Sequence, residues 1–106
     1  MRLKRSEKFR QLLNSVCEIT ETNKQDILSI RKTSDVCWAR NLLILCLKKE
    51  GFKPVTIQTL LHKAGWSGVG HSTVLKNIER ASKLEQNNEE FKNFLDEIRS
   101  SFSPSS

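Results

Sequence analysis

The 106-residue sequence predicts an all-α domain of five or six helices, and three observations carry that expectation. Apolar residues recur at helical spacing in one segment after another. No window shows the strict alternation of a half-buried strand. Three of the four glycines crowd into the six residues Gly65–Gly70, a density that marks a single turn between two helices.

The elements follow in order. Phe9, Leu12, Leu13 and Val16 share one helical face, so residues 7–20 read as an amphipathic helix with Ser6 as its N-cap. Thr22 or Asn23 would cap a short second helix carrying Ile27 and Leu28. Residues 35–49 differ in kind. Val36, Cys37, Trp38, Ala39 and the run Leu42–Leu47 leave little room for a polar face, the mark of a buried helix at the centre of the domain. Gly51 ends it, and Pro54 forbids its continuation. Thr56 then caps a stretch of about two turns with Ile57, Leu60, Leu61 and Ala64 on one stripe. After the glycine turn, Val74, Leu75, Ile78 and Ala81 resume helical spacing to about Lys83. Asn87 with Glu90 reads as a capping box, opening a last helix with Phe91, Phe94, Leu95, Ile98 and Phe102 on one face. Residues 1–102 are expected to form a single domain with a basic arm over 1–6, and 103–106 a disordered tail.

Charge narrows the partner. Residues 1–83 hold 16 Lys/Arg against 7 Asp/Glu and residues 84–106 hold 2 against 5, so a body of +9 and a final segment of −3 make up the net +6. A basic body attracts polyanions, of which nucleic acid is the commonest. No apolar run approaches the roughly 20 residues that cross a bilayer. The basic Met1–Arg5 is followed by no apolar stretch of a secretory signal. A cytoplasmic, nucleoid-associated protein without a membrane partner is therefore expected. Three cysteines without an export signal read as reduced thiols. Cys37 and Cys46, nine residues apart, fall about 180° around one helix, and there is no Cys-x-x-Cys pair, so no metal site is expected. His71 has no neighbouring cysteine or carboxylate to complete a nucleophilic pair. The sequence thus predicts no enzyme, no cofactor and no small-molecule substrate.

A short helix, a glycine turn and a second helix outline a helix-turn-helix over residues 56–83. Thr73, Lys76, Asn77 and Arg80 stand at i, i+3, i+4 and i+7 and form a stripe opposite the apolar one. All four are hydrogen-bond donors, two are cations, and asparagine can pair with adenine in the major groove. Glu79 is the only acid between residues 51 and 84. These features predict double-stranded DNA as the partner, with a recognition helix at about 71–83.

Gly70-His71-Ser72-Thr73-Val74-Leu75 resembles the signature that opens the recognition helix in the C-terminal DNA-binding domain of the bacterial replication initiator DnaA, where a Gly-Gly-Arg-Asp-His-Ser/Thr-Thr-Val segment stands. The likeness extends back through Ser15-Val16-Cys17, Asp26-Ile27-Leu28-Ser29, Arg31-Lys32 and Val36–Arg40, and covers roughly residues 10–100. It implies a TrpR-like cluster of helices. It also implies roles: His71 and Ser72 reading bases, Thr73 holding a phosphate, Arg31 and Lys32 reaching backbone or minor groove, and Lys48 contacting the backbone. The family's Arg-Asp before the histidine is here Val69-Gly70, which removes two polar contacts, each base contact being worth roughly 1–3 kcal/mol of discrimination. Lys76-Asn77 replaces a further His-Ala and offers new readout. The segment between Gly51 and Gly70 is a few residues longer than in the family. A recognition sequence different from the usual DnaA site is expected.

Nothing in the sequence resembles the phosphate-binding loop of an ATPase, so the resemblance implies a stand-alone relative of the DNA-binding domain, serving replication, transposition or transcription in a bacterium, phage or mobile element. A second copy, or a larger replication or transposition protein, would supply tight binding. The rival reading is a protein-interaction module that docks through the acidic, Phe-rich last helix.

Overall fold

The computed structural model describes residues 4–28, 34–66 and 68–102. Arg31, Lys32, the start of the basic arm and the tail 103–106 lie outside the described residues. The described chain is all-helical: α1 (Arg5–Thr20), α2 (Lys24–Ile27), α3 (Ser34–Lys49), α4 (Pro54–Ala64), α5 (His71–Asn87) and α6 (Glu89–Phe102).

The apolar run in α3 decides the architecture. Val36, Ala39 and every residue from Arg40 to Leu47 are buried, so this helix has no broad solvent face before its last turn. Each of the other five helices packs against it. Around it, Phe9, Leu12, Leu13 and Val16 of α1, Ile57 and Leu61 of α4, Val74 and Ala81 of α5, and Phe91, Leu95 and Ile98 of α6 complete one core. Cys46 lies inside it, and burial pushes its thiol up to about 12.

The apolar face of α6 is spent internally. Phe91, Leu95 and Ile98 are fully buried, and Trp38 of α3 meets the rings of Phe91 and Phe94 edge-on at centroid distances of 5.4 and 5.9 Å. Burying each of those three side chains is worth roughly 1.5–3 kcal/mol, which together rivals the total stability of an ordinary domain, about 5–15 kcal/mol. α6 belongs to the core.

Helix ends depart from the sequence expectation in consistent ways. α1 begins at Arg5 with Lys4 as N-cap, and Ser6 sits inside its first turn; the Lys8 N–H already bonds the Lys4 carbonyl at 3.0 Å. α4 begins at Pro54 behind Lys53, and Thr56 is within the helix. Proline is at home there because the first helical residue needs no N–H. The predicted cap at Asn87 is displaced by one residue: Asn87 ends α5, and Asn88 Oδ1 accepts the Phe91 N–H at 3.0 Å. α5 correspondingly runs four residues past the expected Lys83. At the far end of α1, Glu21 takes a left-handed conformation (φ 56°) and its N–H closes on the Cys17 carbonyl.

Candidate nucleic-acid interface

The turn between α4 and α5 is built from three fastenings. Gly65 takes φ 129°, a conformation that disfavours any side chain, and lets the Trp66 N–H return to the Leu61 carbonyl at 3.0 Å. Trp66 then plugs the core, with 7% of its surface exposed. Gln58 Nε2 donates to the Val69 carbonyl across the turn at 3.4 Å.

Arg40 of α3 holds this turn from below. Its guanidinium lies 4.7 Å from the Trp66 ring centroid, while Nε donates to the Ile27 carbonyl at 2.9 Å and an Nη donates to the Asp26 carbonyl at 3.3 Å. Burial lowers its pKa from the ordinary guanidinium value. One buried cation thus joins the end of α2 to the start of the α4–α5 turn. No local pattern announces this role, because an arginine inside an apolar run looks like an interruption.

α5 leaves the turn at Gly70, which as N-cap brings no side chain to the helix end. At 100° per residue, Val74, Ile78 and Ala81 cover the core. His71, Ser72, Leu75, Lys76, Glu79, Arg80 and Lys83 are exposed on the other side. Thr73 and Asn77 are half-buried along one edge, so the exposed face centres on Ser72, Glu79 and Lys83, with Lys76 and Arg80 to one side, rather than on the stripe read from sequence. Lys76 and Arg80 pair with no acid among the described residues, whereas Glu79 meets Lys83 at 3.5 Å in an exposed i,i+4 pair of little energetic weight. Leu75, expected among the core positions, is 45% exposed. Its place about 100° from Val74 takes it off the buried side.

Lys48 is exposed near the end of α3. The neighbouring Lys49 meets Glu85 at 3.0 Å, while the Arg40–Trp66 contact lies at the other end, so α3 and α5 run side by side in the same sense. Lys48 therefore stands level with the last turns of α5, about 20 Å of helix from His71. The structure brings His71, Ser72, Thr73, Lys76, Asn77 and Arg80 onto one helix half and leaves Lys48 apart from its first turn. Among the described residues no group of three or more His, Cys, Asp or Glu is arranged to hold a metal ion, and no helix is long and apolar enough to cross a membrane.

The described residues define a class, an all-helical globule whose α5 exposes a donor-rich face carrying Lys76, Arg80 and Lys83. No protein-family model, curated protein or solved structure matches the chain.

Proposed function

We propose that this chain binds double-stranded DNA through a helix-turn-helix made of α4 and α5, with the first half of α5 in the major groove. The observation that carries the reading is the exposed half of α5, where Lys76 and Arg80, with no acid paired to them among the described residues, stand beside His71, Ser72, Thr73 and Asn77. Such donors suit phosphate oxygens and base edges. The net charge of +6 supports long-range attraction to the duplex.

Phosphate neutralisation supplies most of the affinity in this reading, and binding falls steeply with salt. A lone module of this size covers on the order of 600–1,000 Å² of its own surface, so binding is modest unless a second copy or domain contributes. The DnaA-like signature at Gly70–Leu75 favours a sequence-preferring, initiator-like or regulatory role without enzymatic activity. Against the rival docking role for α6, Phe91, Leu95 and Ile98 already serve the core.

The test is Lys76→Ala with Arg80→Ala, titrated against a random-sequence duplex over a salt series. Both side chains are exposed, so the fold is kept. Affinity is expected to fall by about tenfold or more, and the slope of log K against log salt to flatten by about 2 if both groups neutralise phosphates. A double variant that binds as tightly as the parent, with the same salt slope, refutes the docking face.

A further inference from the structure

We infer that Leu75 is a specificity-determining residue that reads the C5-methyl group of a thymine, an inference that rests on the proposed duplex binding through α5. Val55 and Leu75 are the large hydrophobic side chains left exposed among the described residues, at 56% and 45%. Val55 stands in the first turn of α4; Leu75 stands on the exposed half of α5. One turn before it is His71, next to it is Lys76, and one turn after it is Glu79.

The surroundings decide what a leucine can be doing there. A protein-docking site needs a contiguous apolar patch of some hundreds of Å². Leu75 is instead a single branched side chain set among the polar and charged His71, Ser72, Lys76 and Glu79. On the same exposed side, His71, Ser72 and Lys76 are donors that suit acceptors on phosphates and bases, with Glu79 the one acid beside them. On the wall of the major groove the one apolar feature set among such acceptors is the thymine methyl. Leucine matches it in size and chemistry, and two apolar surfaces a few ångströms across exclude water from each other there.

The contact is worth about the burial of one methyl-sized group, ~0.8 kcal/mol, which is about a fourfold change in affinity. To test it, duplexes of about 20 base pairs are selected from a random pool by the full chain. The recovered sequences are remade with deoxyuridine in place of thymidine at one position at a time, so that only the methyl is removed. The parent chain is expected to lose about fourfold at one or two positions. Leu75→Ala, whose helical circular dichroism should match the parent, is expected to bind with equal affinity to both forms at those positions. Equal binding of both forms by the parent at every position overturns the inference, and so does an unchanged preference in Leu75→Ala. In both cases the duplex-binding reading survives. A chain that binds no duplex pool in a salt-dependent way overturns the two together.

Discussion

Replacing Arg40 by alanine removes the fastening between α2, α3 and the turn that launches α5. Arg40 is 7% exposed, and its guanidinium donates to two carbonyls, at 2.9 and 3.3 Å. A hydrogen bond from a charged donor contributes about 1.5–3 kcal/mol, with the longer bond at or below the lower end. The stacking over Trp66 at 4.7 Å adds about 0.5–2 kcal/mol. The expected loss is therefore about 3–5 kcal/mol, a large part of the 5–15 kcal/mol that holds a domain together. Arg40→Lys keeps the charge but places one compact ammonium where a planar fork spanned two carbonyls, so about half of the loss is expected. Urea unfolding followed by circular dichroism measures both: the midpoint should drop while the slope with denaturant stays constant. A double-mutant cycle with Trp66→Leu isolates the ring contact, with an expected coupling of about 0.5–2 kcal/mol. If Arg40→Ala costs less than about 1 kcal/mol, the buried guanidinium is not the fastening described.

Two further perturbations probe the scaffold. Glu21→Gly relieves a left-handed backbone that costs a side-chain-bearing residue about 1–2 kcal/mol; the unfolding midpoint should rise by the equivalent of about 1 kcal/mol, and a fall would contradict the conformation assigned to this helix end. Cys46 has a folded pKa of about 12, raised by burial above the 9.0 of a free thiol. Its contribution is full below pH 9 and is lost as pH climbs from about 9 to about 12, because the unfolded chain releases the proton first. The slope reaches about 1.4 kcal/mol per pH unit, and Cys46→Ala should lose that part of the stability–pH profile; identical profiles would contradict the burial of the thiol.

The parts legible in the sequence were those where one local pattern has a single physical outcome. A run like Leu42–Leu47 can only be buried, and α3 is the centre of the fold. The spacing of Phe91, Leu95 and Ile98 put them on one helix face, and that face is buried in the core. Helix starts were less legible: serine and threonine favour the N-cap, but Lys53 with Pro54, and Lys4 with no cap bond of its own, opened helices earlier than Thr56 and Ser6 would. In α5, hydrophobicity was read where angle decides. Leu75 follows Val74 in sequence yet turns about 100° away from it and reaches solvent, and Thr73 and Asn77 share the donor chemistry of Lys76 without its exposure. Arg40 was illegible for another reason, since its partners are backbone carbonyls 13 and 14 residues away in sequence, which no local periodicity encodes.

The packing of α1 directly on α6 has a consequence for how the chain is made. Synthesis proceeds from the amino end, so the first helix emerges with part of its oily side bare and must wait for the last one to cover it. Until some eighty residues later, the part of α1 that packs on α6 lacks its cover. The ribosome-bound intermediate is therefore a client for holding factors, and stopping translation within α6 should leave a sticky, protease-sensitive product rather than a smaller working domain.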